Sequence, residues 1–566
     1  MVSSEADILR DSLSEFSELQ TARAVYGSHC EEIAELVDPP SRNTFFYGSY
    51  NTPGQKKTDR QVDGNAGLAL DRFAAILVSI LTPPNQTWHT VSIDNDYLLK
   101  DRNVRLYYEK VTRLLFKARY NPKANFAGQN QIVFRNEGAY GTGSLFVDTY
   151  QGIDGKFGLR YKGLPLGETY LRENHQGMVD GYCRPFRLTA RQALQQFADE
   201  KDRLPPQIHE AAQKGSQFPY NFLHRVCPRE DYYPGRLDSK GMLYASYYLS
   251  LDYSTLLRES GYRTLPLAVG RYVQTPGETY GRGPMMQVLP AIKTLNSEKR
   301  DFLTQGHRAV SPVLLMGDDG IVGFSMRPGA ENKGGWSEDG HPLIGTLPIG
   351  DINVSKEMMD EEKLLIEAAA LTDLFKVLLG DPKIYTATQI VEMMSQRGIL
   401  IAPAMGRQQS EYLGSVIPRE LDLMDAQGML PPKPPALLEA KGEYHIQYSS
   451  PLARDQRSSE VAGFTRIFDL GIQVANATGD PSHLDRFDFD TFFPDAAQIQ
   501  GSPEKWMASD EMLAQKRQGR QQAAERAQQT QEAPAKAALM KASAAQAKAG
   551  NGGPILAPQP VAAPGA

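Results

Sequence analysis

The sequence predicts an α+β chain arranged around a long helix, a glycine-rich insert and a second long helix. Three observations carry that expectation. Over the first ~270 residues, period-2 runs and helical spacings are mixed. The stretch "GETYGRGPMMQVLPAIKTLNSEKRDFLTQGHRAVSPVLL", from Gly277 to Leu315, reads as a glycine-proline elbow, a long helix and a proline stop. A second long helical pattern opens at Ser355, after a span dense in glycine and proline. At 566 residues the chain exceeds one compact core, and its length suggests roughly three to four domains or one elaborate multi-part fold.

Taken in order, the chain opens with helical spacing at Ile8, Leu9, Leu13, Phe16 and Leu19, closed by "DPPS" from Asp38. Residues Leu68 to Leu81 read as a buried helix ended by "TPPNQTW", and Val104, Tyr107, Val111, Leu114 and Leu115 mark another helix. From Gly141, "GTGSLFVDTYQGIDGKFGLRYK" holds two β-like runs around a glycine-rich turn, a hairpin. Strand-like material continues in "GMVDGYCRPFRL" and "MLYASYYLSLDY".

Met285, Val288, Leu289, Ile292 and Leu295 then share one helical face, with Pro290 marking a kink or a first turn. The helix from Ser355 carries Glu357, Asp360, Glu361 and Glu362 in its first turns, where the macrodipole favours anions. Leu364, Ala368, Leu371, Phe375 and Leu378 form a seam suited to another helix, until Gly380 and Pro382 stop it. Thr386 and Gln389 make a capping box for a helix through Ile390, Met393 and Met394. Helical spacing resumes from Met405 through Tyr412, Val416, Leu421 and Met424, and again from Ser458 to Ala475. The Ala/Gln-rich end reads as disordered.

The totals narrow the function. A net charge of -6 argues against a generally basic nucleic-acid binder, though not against a conduit that lets DNA pass. Cys30, Cys183 and Cys227 form no CxxC pair, so neither zinc nor a disulfide framework is expected and a reducing compartment fits. The acidic, amphipathic start does not read as a signal peptide. The longest apolar run, Phe73 to Leu81, has nine residues, against the ~20 of a membrane helix.

Catalytic motifs are missing. "GSYNTPGQKKT" from Gly48 has five residues between its glycines and Gln55 before Lys56, so it is no P-loop. There is neither HExxH nor GxSxG. His89, His175 and His224 read as surface or half-buried residues, and "FDFDTFFPD" from Phe487 as a packing or partner segment rather than a metal loop. Neither an enzyme nor a cofactor is expected.

An ordered set of segments carries a resemblance: "LTPPNQTWH", "EGAYGTGSLFV", "NHQGMVDGYCRPFRLTARQALQQF", "HRVCPRED", "ESGYRTLPLAVGRY", "YGRGPMMQVLPAIKTLN", "TATQIVEM", "LGSVIPRELDLM" and "YSSPLARDQRS". Running from about residue 70 to 460, they resemble the portal, or head-to-tail connecting, proteins of podovirus-type phages. The resemblance implies a portal fold: an N-terminal α/β wing (1–284), a first stem helix (285–310), a clip (311–352) and a second stem helix (353–380). A tunnel loop (381–388), wing helices and return (389–454), a helical crown (455–529) and a disordered tail (530–566) would follow.

It further implies a homo-oligomeric ring, usually of twelve, at one capsid vertex of the virion, assembled in the host cytoplasm. Double-stranded DNA would pass through the ring. Partners would be the terminase large subunit, a tail adaptor, and the major capsid and scaffolding proteins, without a membrane. A channel should carry few free cations, because each phosphate neutralised adds salt-dependent grip. Lys383 is the preferred DNA contact, with Lys293, Lys299, Lys356, Lys363 and Lys376 on the stem helices as further channel candidates. Asp318, Asp319, Arg327, Lys333 and Trp336 are the clip candidates for partner contact. A scaffold or internal virion structural protein is the alternative reading.

Overall fold

The computed structural model describes residues 4–50, 52–99, 101–152, 155, 157–316, 325, 327–333, 336–337, 339–347, 352–372, 402–440, 444–448, 451–479, 481–499, 506–508 and 510–549. The chain divides into a unit of residues 1–470 and a unit of residues 471–566.

The first unit opens with helix α1, Glu5–Leu36, fixed at its start by a capping box between Ser4 and Asp7. Helix α2, Asn65–Leu81, buries Leu70, Phe73, Leu77 and Leu81 along one face. Strand β1, His89–Ile93, leads to helix α3, Arg102–Arg119, and helix α4, Phe126–Tyr140. Strands β2, Thr142–Gln151, and β3, Phe157–Leu164, form the expected antiparallel hairpin. Then come β4, Tyr170–Glu173; β5, Val179–Thr189; β6, Pro219–Pro228; β7, Tyr244–Ser250; β8, Thr255–Tyr262; and β9, Leu267–Arg271.

These strands make two antiparallel sheets. One has the order β3-β2-β9 and the other is a five-stranded meander, β4-β5-β6-β7-β8. The chain is mixed α+β, as its sequence predicts. "EGAYGTGSLFV" and "YGRGP" meet backbone to backbone. Gly141 ends α4 with φ 78°, and a Cβ there would lie 2.4 Å from the carbonyl carbon of Gly281. The Gly281 N–H donates to Thr142 Oγ1 at 2.8 Å. Only glycine permits that approach at that φ.

Further along are α5, Leu289–Val310, with Pro290 in its first turn, and the short strands β10, Leu314–Met316, and β11, Ile344–Thr346. Helix α6, Ile352–Ala369, begins three residues before Ser355. Asp360, Glu361 and Glu362 therefore lie mid-helix rather than in its first turns. Just past its end, Leu371 takes φ 58°, so the helix does not run on unbroken towards 380. Residues 373–400, with the Thr386–Gln389 capping box, lie outside the described residues. A π-helical turn at Gln408–Leu413 feeds helix α7, Gly414–Ala426. Strand β12, Tyr444–Tyr448, pairs antiparallel with β1. Helix α8 is Pro451–Thr478.

At the centre of the first unit Arg119 and Glu420 form a fully buried pair: Nε donates to Oε1 at 2.9 Å and Nη2 to Oε2. The Tyr161 hydroxyl donates to the same carboxylate. Arg119 Nη1 donates to His89 Nε2 at 2.8 Å, and the guanidinium lies 4.6 Å from the Trp88 ring centre. His89 and His224 are thus core residues on strands, not the surface or loop residues expected. Burial first, then Arg119, holds the His89 imidazole well below 6.5, which keeps it neutral and able to accept. His224 is held by Tyr182 and Ser246 and stacks on Tyr248 with ring centres 4.0 Å apart. Each histidine follows an apolar residue, Trp88 or Leu223, and their burial comes from sheets built with distant segments.

In the second unit, helix Phe489–Ile499 holds most of the "FDFDTFFPD" aromatics, and Phe489 stacks on Phe493 at 5.9 Å. Helix α9, Asp510–Ala549, replaces the disorder expected from 530 onward over its length. Ala, Gln, Lys, Arg and Glu lack the apolar content of a core, yet they are strong helix formers.

Glu420→Ala would strand a buried guanidinium and lower stability by about 3–5 kcal/mol. The double change Arg119→Met with Glu420→Leu should recover part of that loss, because it removes the stranded charge but leaves the Tyr161 hydroxyl and His89 Nε2 without partners. Urea midpoints of the three proteins check both outcomes.

Candidate functional site

Helices α5 and α6 lie side by side and run antiparallel, joined at one end by the β10–β11 ladder, with Leu314 opposite Thr346 and Met316 opposite Ile344. Helix α5 has 22 residues, a length of about 33 Å at 1.5 Å per residue. Only its first half is anchored: Leu289, Ile292, Leu295 and Asn296 are buried, and nothing from Ser297 to Val310 is. Asn296 Oδ1 accepts from the Val62 N–H at 2.7 Å, tying that half to the loop before α2.

Helix α6 buries Met359 and Ile366, and Ala370 just past its end continues the line, spaced 7 and 4 residues apart. This line replaces the seam expected at Leu364 and Ala368, which are both exposed. Leu371 is partly buried, and Phe375 and Leu378 lie outside the described residues. Alongside and beyond these anchors the pair presents Leu303, Val310, Met358, Leu364 and Leu365 to solvent, with Leu364 55% exposed and Leu365 56%. Large apolar surface of this kind marks an interaction face. The signal was present in sequence as the doublet Leu364–Leu365, of which one buried stripe can absorb only one.

The lysines on this pair are largely engaged. Lys293 pairs with Glu32 of α1. Lys363 Nζ reaches Asp360 Oδ1 at 2.8 Å, and that bond holds the Asp360 carboxyl below its usual range. Lys299 is half-buried with its ammonium 5.7 Å from the Phe302 ring centre. Lys356 is exposed. Lys376 and Lys383 lie outside the described residues.

Sequence reasoning missed one carboxylate, Glu298, and read Glu362 only as a first-turn anion. Glu298 of α5 and Glu362 of α6 approach each other across the pair, and one oxygen of each is buried without a hydrogen-bond partner, as is Gln305 Oε1. Burial first, then Glu362, raises the Glu298 carboxyl. Nothing local in sequence signals a contact between residues on two helices separated by an insert.

Within the insert, Ser325 and Asn332 close a loop by two hydrogen bonds of 2.8 and 2.9 Å. Arg327 and Lys333 are exposed, and Trp336 is 70% exposed beside its bridge to Pro342. Asp318 and Asp319 lie outside the described residues. Among the described residues there is no group of three or more metal-ligating side chains, and no helix is long and apolar enough to cross a membrane.

Comparison with known proteins points the same way. Residues 10–507 match the family model described as bacteriophage head to tail connecting protein. The chain is 26% identical over 535 residues to a protein named "Probable portal protein" from Bordetella phage BPP-1, covering 91% of this chain and 92% of that one. It is 24% identical over 499 residues to one named "Portal protein" from Salmonella phage epsilon15, covering 86% and 87%.

Because the folded state raises the Glu298 carboxyl above the unfolded value of about 4.3, it binds more protons than the unfolded chain above that pH. Its contribution to stability therefore declines as pH rises through this window. Glu362→Gln should raise the thermal midpoint at about pH 7 and leave it unchanged at about pH 4. Melting curves at both pH values decide this.

Proposed function

The chain belongs to the bacteriophage head to tail connecting protein family, and from that premise we propose that it works as one subunit of a closed ring of twelve through which double-stranded DNA enters and leaves the capsid. It is a virion component of the capsid vertex with capsid and tail neighbours, and its function is the portal's, in genome packaging and DNA passage. The observation that carries the ring reading is the half-anchored helix pair. One chain leaves Leu303, Val310, Leu364 and Leu365 uncovered, and a neighbouring copy laid alongside would bury them.

In this reading α5 and α6 are stem staves and residues 311–352 are the clip, where Trp336, Arg327 and Lys333 meet the terminase large subunit during packaging and the tail adaptor afterwards. Residues 1–284 form the wing, 381–388 the tunnel loop with Lys383 against DNA, and 455–529 the crown. Scaffolding and major capsid proteins meet the ring during assembly in the host cytoplasm. Catalysis and ATP hydrolysis belong to the terminase. Pairing Lys293 with Glu32 and Lys363 with Asp360 supports a sliding channel, because a lysine already neutralised grips phosphate weakly.

Native mass measurement with electron-microscopy class averages of the purified chain tests this. The expected result is a closed ring with a hole that admits duplex DNA. The double variant Leu364→Glu with Leu365→Glu should stay monomeric while keeping the melting midpoint of the free subunit. A wild-type chain that remains monomeric and is excluded from capsids in an assembly reaction would sink the proposal.

A further inference from the structure

Three side-chain oxygens in the middle of the first unit have no hydrogen-bond donor: both of Glu137 and Oε1 of Gln408. Glu137 sits in the last turn of α4, fully buried, and Gln408, 1% exposed, opens the π-helical turn. Gln408 Nε2 donates to the Arg271 carbonyl at 3.2 Å, which fixes the amide and turns Oε1 the other way. The two side chains share one small space over the backbone of Gly270. A Cβ added there would lie 2.1 Å from Glu137 Oε1 and 2.8 Å from Gln408 Oε1. Acceptors crowded together without a donor are not a stable arrangement in a dry interior.

The surroundings offer no compensating cation. Arg271 on β9 spends its guanidinium on Glu173, on Glu411 through two 3.1 Å bonds, and on the carbonyls of Thr279 and Gly177. From the π turn, Glu411 adds a like charge, and Tyr412 directs its hydroxyl to Asn130 at 2.7 Å. Tyr272, just past β9, is the remaining titratable neighbour. The adjoining parts of α2 and of the Pro284–Gln287 turn present apolar Leu70, Phe73 and Met285. Burial first, then Glu411, pushes the Glu137 carboxyl well above its ordinary range.

We propose that Glu137 carries a proton at neutral pH and donates it to Gln408 Oε1, latching the π turn onto α4 and β9, and that loss of this proton opens the latch. The π turn supplies the geometry. Its extra residue lets Gln408, Glu411 and Tyr412 all reach inward, to Arg271, to its guanidinium and to Asn130. Such insertions persist where function retains them. The sign follows from linkage: an unfolded glutamate ionises near about 4.3, so above that pH the folded chain holds the extra proton and loses stability as pH rises.

The test compares the full-length chain with Glu137→Gln, whose amide donates to the same oxygen and has no proton to lose. Hydrogen exchange of amides 402–413 and melting midpoints would be measured between about pH 6 and about pH 8.5, with intrinsic exchange rates divided out. Wild type should lose protection by up to about tenfold per pH unit and melt progressively lower, while E137Q stays flat. Should E137Q fail to fold, Gln408→Met serves, with protection of 402–413 low and independent of pH.

Parallel behaviour of wild type and E137Q would overturn the latch, as would the wild-type pH dependence of 402–413 protection surviving in Q408M. So would a wild-type loss abolished by potassium or calcium chloride at constant ionic strength, which would put a metal cation where the proton is assigned.

Discussion

The buried pair of Arg119 and Glu420 is the constraint on which the rest of the first unit depends. Two charges withdrawn from water are tolerable only when they face each other with their remaining hydrogen-bonding capacity filled. Here Tyr161 completes the carboxylate and His89 completes the guanidinium. The partners lie 301 residues apart, so meeting the requirement fixes α3, α7, the β2–β3 hairpin and β1 in one arrangement. Strand β12 follows through β1. With that frame set, "EGAYGTGSLFV" and "YGRGP" can touch through glycine backbones, and α5 leaves the core at a defined angle.

From this frame the helix pair extends as a lever anchored at one end. Met359 and Ile366 of α6, Ala370 just past it, and Leu289, Ile292 and Leu295 of α5 hold it. Beyond them the pair relies on its own contact and on whatever lies beside it. Lys293 and Lys363 are paired inside the subunit, so the surface it offers combines exposed apolar side chains with two neutralised lysines. That combination suits a wall shared between copies better than it suits a nucleic-acid clamp, which would present free cations.

Much of this was legible in the sequence. The hairpin at 142–164 declared itself by alternation around a glycine turn, and α5 by its apolar face and flanking proline. The long-range features were not legible. The buried line of α6 was misplaced because Leu364 drew the expected seam through itself, whereas the packed structure buries Met359, Ile366 and Ala370 and leaves both Leu364 and Leu365 exposed. His89 and His224 looked peripheral because their burial comes from sheets built by residues far away. The continuation of α9 from 530 to 549 was missed because its composition lacks a core while favouring helix locally. The π turn has no local signature, and it exists because Gln408, Glu411 and Tyr412 each have a partner waiting in the core. The resemblance to portal proteins, spread over nine ordered segments, gave the family where single motifs could not.

The separation of Arg119 from Glu420 also sets a clock during synthesis. At about 5–20 residues per second, the ribosome needs roughly 15–60 s to deliver Glu420 after Arg119 has emerged. Throughout that interval the guanidinium has no carboxylate, and the frame around Trp88 and Phe126 cannot close on it without stranding a charge. The N-terminal half is therefore held open until most of the chain exists. Nascent subunits stay incomplete for tens of seconds, and the cell must shield them from one another for that long.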